Sequence, residues 1–197
     1  LQSISYLPHF VSWVVVAGIV TQAFSMNGSV NGLLMSLGIT DKPVMFMGES
    51  KYFWYILIGS DVWKEMGWSA IIYIAAIASI DPELYQAADI DGAGRWGKLW
   101  NITLAGIRPT IVVLLILSVG GILNSGFEQI LLFTNNLSNG MVYEVSEVLD
   151  IYVYRMGIQQ SRYSYATAAG IFKAVLSVVL LTIANTAARK ISEESLW

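Results

Sequence analysis

From Pro109 to Phe133 the chain reads PTIVVLLILSVGGILNSGFEQILLF, which interposes one carboxylate, Glu128, in an otherwise uncharged run. A run of this length, at about 1.5 Å per helical residue, reaches across roughly 30 Å of hydrocarbon. Three other segments are comparable: residues 4–24, 52–80 and 165–188. Overall 55% of the residues are hydrophobic and 13% charged, against about 25% charged in soluble domains. A soluble domain with an oversized core is the alternative, but several runs of bilayer length argue against it. The expected fold is all-α, a polytopic helical membrane protein.

Several function classes drop out at once. A weak net charge of -3 does not suggest nucleic acid. With no Cys and a single His, His9, there is no disulfide frame, thiol nucleophile or His-ligated metal cluster in the sequence. The chain opens at Leu1 almost directly on an apolar run, so further N-terminal spans are expected ahead of it. The spans alternate sides. With a cytoplasmic C-terminal tail, residues 81–108 are cytoplasmic and residues 25–51 and 134–164 extracellular. Arg95, Lys98, Arg108, Arg189 and Lys190 then lie inside, and Lys42, Lys51, Arg155 and Arg162 outside, a weak positive-inside bias. Residues 142–158 read as an amphipathic helix lying beside the membrane.

The stretch DPELYQAADIDGAGRWGKLWNITLAGIRP is too long and too patterned for a connector, since most connections run to about 4–6 residues. Asp81 suits an N-cap, Pro82 the first turn, and Glu83 the positive end of the helix dipole. Leu84, Tyr85, Ala87 and Ala88 give a compact face that another surface can approach closely. Gly92 and Gly94 then turn the chain, and a second amphipathic stretch follows with Trp96, Leu99, Trp100 and Ile102. The pattern predicts a helix–turn–helix with a small protruding tip.

These residues resemble the EAA loop of type I ABC importer permeases, whose pattern is EAA, a few residues, G, then I-x-LP. Gln86, Ala87, Ala88, Asp91, Gly92, Ala93, Ile102 and Leu104 carry the match. The resemblance extends through ISYLPHFVSWVVVAGI, WKEMGW, VYEVSEVLDIYVYRMGI and YSYATAAGIFKAV to the carbohydrate-uptake group, the lipoprotein/polysaccharide permease branch in particular. It implies one transmembrane permease domain over residues 1–197, in the bacterial inner membrane, importing oligosaccharides or polysaccharide fragments. It also implies three protein partners besides the lipid bilayer: an ABC ATPase dimer, a second permease chain of different sequence, and an extracellular solute-binding protein on the two outer loops. ATP and Mg would belong to the ATPase; this chain has no G-x-x-x-x-G-K-[ST] motif and no cofactor of its own. The ATPase-docking residues that the resemblance implies are Glu83, Tyr85, Gln86, Ala87, Ala88, Asp89, Asp91, Gly92 and Ala93. Two positions depart from the pattern. Gln86 replaces the usual Glu, keeping size and hydrogen bonding without charge, and Ala105 replaces the usual Pro. The loop alone also fits importers of peptides or phosphonates. A membrane-embedded enzyme or a passive channel has less to stand on, with no nucleophile–base set visible.

Polar residues inside the apolar segments are candidates for the cargo path, since charges at membrane depth are costly. Asp61, Lys64 and Glu65 share one face of a helix, so that Lys64 can neutralise one of the two acids. Asn124, Ser125, Glu128 and Gln129, with Phe127 among them, combine planar polar groups with an aromatic face, as a saccharide requires. Trp63 and Trp68, with Tyr163 and Tyr165, fit either that path or an aromatic belt at the membrane surface. Interhelical hydrogen bonding explains the amides equally well. His9 reads as an interfacial polar residue.

Overall fold

The computed structural model describes residues 5–124 and 126–192, and the described residues form helices and turns with no strand. A 3-10 turn, Leu7–Phe10, precedes α1, Trp13–Ala23. Next come α2, Ser29–Ser36, and the 29-residue α3, Ser50–Ala78. The polar loop holds α4, Pro82–Ile90, and α5, Arg95–Lys98, which runs on through a π turn, Leu99–Thr103, to Gly106. After α6, Arg108–Gly121, come a 3-10 turn and α7, Phe127–Phe133. Short turns lead to α8, Leu149–Tyr154, and the 30-residue α9, Tyr163–Ser192, closes the described chain.

Among the described residues, Tyr163–Lys190 is by itself long and apolar enough to cross a membrane. Arg95–Gly106 and Arg108–Asn124 qualify only as a pair, bent by 58°. The apolar runs are thus more broken than their composition predicts. Residues 4–24 are interrupted at Ser12, whose backbone is extended (ψ 150°) while its hydroxyl caps α1 by accepting from the Val15 N–H. α1 alone spans only about 16 Å. Residues 109–133 break at Gly126, which sits at φ +84°, a left-handed conformation that glycine adopts without penalty. Residues 142–158 also fail to form one helix. They bend at Glu147–Val148, where the backbone is extended, and α8 then passes into a π turn, Arg155–Gln159.

The residues group into two compact units: the first holds the chain up to Gly67 with Asn124–Phe172, the second Trp68–Leu123 with the chain from Lys173. In the first unit Ala17 of α1, Phe53 and Leu57 of α3, Ile130 and Phe133 of α7, Val142 and Ile151 make one buried cluster. The i,i+4 and i,i+3 spacings put each helix's pair on one face. Asn31 is fully buried and acts as a staple: its amide donates to the carbonyls of Ser25 and Val44 (2.9 Å each) and its Oδ1 accepts from the Val44 N–H at 2.8 Å. The Asn139 amide donates to the Met47 carbonyl at 2.9 Å. These bonds order residues 25–50 against the turn after α7. At Gly67 a Cβ would fall 1.9 Å from the Ser5 carbonyl oxygen, so α3 and the segment before α1 pass with their backbones nearly touching.

The second unit packs small against large. A Cβ at Gly106 would meet Ile80 at 2.9 Å, and one at Gly120 would meet Leu181 at 2.7 Å. Along α9, Val175, Val178, Val179 and Ile183 stay exposed within the chain. That apolar surface suits lipid or another transmembrane subunit.

Candidate functional sites

The first site is the polar loop in the second unit. The Asp81 carboxylate accepts from the Glu83 N–H at 2.9 Å, closing the first turn of α4. At the other end the Ala93 N–H bonds the Ala88 carbonyl (2.9 Å) and the Gly92 N–H bonds the Asp89 carbonyl (3.1 Å). That pair is a Schellman cap, and Gly92 at φ +73° is its left-handed residue. Two side-chain links then hold α4 to the following stretch: Tyr85 Oη to Thr103 Oγ1 at 2.9 Å, and an ion pair between Lys98 and Asp89. The bend comes at Ile107, past Ala105, which remains helical where a proline would have ended the helix.

The predicted docking residues separate into two sets. Tyr85, Ala88, Asp89, Gly92 and Ala93 brace the loop. Glu83, Gln86 and Ala87 are exposed at i, i+3 and i+4, and Ile90 completes their stripe at i+7. Asp91, the C-cap, is exposed beside them. α4 buries none of its residues, and Ile90 is 88% exposed. Ile90 is not among the predicted docking residues; its signal is an apolar residue held between two aspartates just before the turn glycine.

The second site lies in the first unit. Asn124, Phe127, Glu128 and Gln129 line one cleft of about 300 Å³, joined by Asp61 and Trp13. It forms where the helix breaks at Gly126, which also lines it. Gln129 is buried and its Nε2 donates to the Leu57 carbonyl at 2.8 Å and to Ser60 Oγ at 3.0 Å. Ser125 lies outside the described residues. Trp63 lines a separate apolar groove of about 430 Å³ with Phe24, Phe46, Tyr52 and Tyr55. Trp68 is 42% exposed and falls in the other unit.

Lys64 also points elsewhere. It is 5% exposed, and its Nζ donates to the His9 carbonyl at 2.7 Å and to Glu65 Oε1 at 3.2 Å, with the Trp13 ring centroid 5.4 Å away. Glu65 Oε2 in turn meets His9 Nδ1 at 2.8 Å. Of the two acids on its helix face, Lys64 is therefore hydrogen-bonded to Glu65. His9 is one partner in a clasp that ties the segment before α1 to α3, and not merely a polar residue at an interface.

Residues 1–193 match the family described as the binding-protein-dependent transport system inner membrane component. The chain belongs to that family. Its all-helical permease fold is shared with a chain of a bacterial alginate ABC transporter, solved in complex with an alginate pentasaccharide-bound periplasmic protein: 45% identity, TM-score 0.91, covering 99% of this chain and 66% of that one. The permease is 44% identical to Protein LplB and 41% identical to the polygalacturonan/rhamnogalacturonan transport system permease protein YteP, both of Bacillus subtilis strain 168. Each match covers 100% of this chain and 60% of the relative, so the chain spans about three fifths of the length of these relatives. The family is that of the membrane component, a permease and not an ATPase subunit.

Proposed function

We propose that this chain is a transmembrane subunit of an ATP-driven importer of oligosaccharides or polysaccharide fragments, and that a separate ATPase grips the outer face of α4. The observation that carries the reading is the stripe Glu83–Gln86–Ala87–Ile90, left exposed on a helix that is capped at both ends and braced from behind. A rigid lever with an uncovered face is what a motor subunit needs. ATP and Mg belong to that partner dimer. The exposed apolar length of α9 supports lipid and a second, different permease chain as neighbours. The stapled loops at residues 25–51 and 134–164 are the proposed landing surface for a solute-binding protein. Four spans, at residues 4–24, 52–80, 109–133 and 165–188, remain the proposed membrane topology, with the first and third helically broken. Cargo in the alginate, polygalacturonan and oligosaccharide classes that the relatives' names give supports a saccharide. ATP acts on the spans only through differential affinity for their inward and outward states, so the docked loop must move between them.

The test is co-purification of the assembled transporter with Ala87→Glu in α4. Loss of the ATPase, with the permease chains still paired and folded, supports the reading. Unchanged ATPase content refutes the docking assignment. Reconstituted complex whose ATPase is not stimulated by binding protein plus saccharide refutes the import reading.

A further inference from the structure

We infer that Arg95–Gly106, the second segment of the polar loop, lies in the cytoplasmic surface of the bilayer with its tryptophans seated among the lipid headgroups. The inference rests on the proposed topology and goes beyond it: the lever that the ATPase grips is also supported by lipid. Trp96, Trp100 and Leu104 follow at i, i+4 and i+8, so they share a face. Trp96 is 74% and Trp100 62% exposed within the chain, and Leu99 and Leu104 are exposed beside them. Another side of the segment is spent on α4. Half-buried Lys98 pairs with Asp89, and half-buried Thr103 meets Tyr85. At about 100° per residue Lys98 stands on the far side of the helix from Trp96, so the tryptophan face is turned away from that ion pair.

The bend, the side chains and the charge all point to lipid as the cover. Arg95–Gly106 is apolar enough to count with Arg108–Asn124 toward one span, yet it is bent from it by 58°. With α6 standing along the bilayer normal, the segment runs nearer to the membrane plane than to the normal. Tryptophan has an apolar body and a polar N–H, which suits the boundary between headgroups and hydrocarbon. From Gly94 to Pro109 the charged residues are Arg95, Lys98 and Arg108, all basic. Arg95 and Arg108 are exposed at the two ends of the segment, where lipid phosphates and anionic headgroups complement them. A segment with an apolar, tryptophan-bearing face and basic flanks settles about 5–10 Å into that boundary.

The experiment uses the complete transporter in nanodiscs. The chain has no Cys, so Trp96→Cys, Trp100→Cys and Asn101→Cys each place one nitroxide label when the other chains are Cys-free. Collision with oxygen, which concentrates in lipid, and with a water-soluble nickel chelate gives the depth of the label. Positions 96 and 100 should read about 5–10 Å below the phosphates with or without ATPase, while position 101, exposed off that face, reads in water. If a tryptophan variant does not assemble, Leu104→Cys must give the lipid reading. In the Trp100→Cys background Arg95→Glu should draw the label outward, and further in discs containing phosphatidylglycerol than in phosphatidylcholine alone; a label that does not move overturns the phosphate contact. Free access of nickel to positions 96 and 100 overturns the inference. So does shielding from both reagents, which gives the face to the ATPase if it appears only on adding ATPase and to another permease chain if it is there without it. Ile90→Cys in the same discs reports docking separately: nickel access lost on adding ATPase upholds the grip on α4 whichever way the tryptophan positions read.

Discussion

Replacing Gly92 separates backbone conformation from simple bulk. Gly92 sits at φ +73°, and a Cβ built there would meet nothing within 4 Å in this chain. Alanine therefore clashes with nothing here but must adopt a left-handed conformation that costs about 1–2 kcal/mol for most L-residues. The cheapest relief is to open the Schellman cap, giving up the Ala93–Ala88 and Gly92–Asp89 bonds and letting Ile90 and Asp91 swing away. If the partner binds only the closed cap, the same 1–2 kcal/mol appears as roughly a 5- to 30-fold loss of ATPase affinity, at 1.4 kcal/mol per tenfold. Asparagine tolerates the left-handed region, so Gly92→Asn falls between wild type and Gly92→Ala, and Gly92→Val lies below both. Titrating purified ATPase against the permease complex in nanodiscs gives the order. A clash with the partner would reverse it, because Asn is larger than Ala. The order Gly, Ala, Asn, or no difference among them, refutes the argument from backbone strain.

Two further perturbations test the loops at residues 25–51 and 134–164, the proposed landing surface. Asn31→Leu leaves the Val44 N–H and the Ser25 and Val44 carbonyls without their partner, at about 1–3 kcal/mol for each group that water does not reach. The variant complex should melt earlier and lose stimulation by binding protein while retaining the ATPase; an unchanged melting temperature counts against the staple. Arg155 pairs with Glu147 and lies over the Tyr143 ring at 5.0 Å. Burial already raises the Glu147 carboxyl above its ordinary value of 4.5. Arg155→Met removes the cation that favours the ionised form, so the folded-state value rises further above the unfolded one. Stability is then retained in acid and lost as pH climbs from about 4.5 through the raised value. The melting deficit relative to wild type should grow as pH rises above about 4.5, and a deficit independent of pH would contradict the assignment.

What the sequence disclosed and what it hid divide along physical lines. The cap at Asp81–Pro82 and the turn at Gly92 were legible because each depends on residues adjacent in the chain. The length of α3 and α9 was legible from apolar runs. The breaks at Ser12 and Gly126 were not, because hydropathy averages over a window and does not register a single backbone angle. Nor did local pattern signal the π turns at Leu99–Thr103 and Arg155–Gln159. Lys64 has Asp61 three residues before it and Glu65 beside it; only the placement of His9, 55 residues away, shows how its donors are spent. Asn124, Phe127, Glu128 and Gln129 do share one cleft, but Trp63 faces an apolar groove, and Trp13 and Asp61 took their places beside them through tertiary packing.

The most direct measurement is labelling of Ile90. The chain has no Cys, so Ile90→Cys is a unique thiol within it. A membrane-impermeant maleimide should leave that thiol unmodified in intact cells, label it in inside-out vesicles stripped of ATPase, and fail again once ATPase is added back. Labelling from the outside, or labelling that ATPase does not block, would contradict the proposal that α4 is the face a cytosolic motor holds.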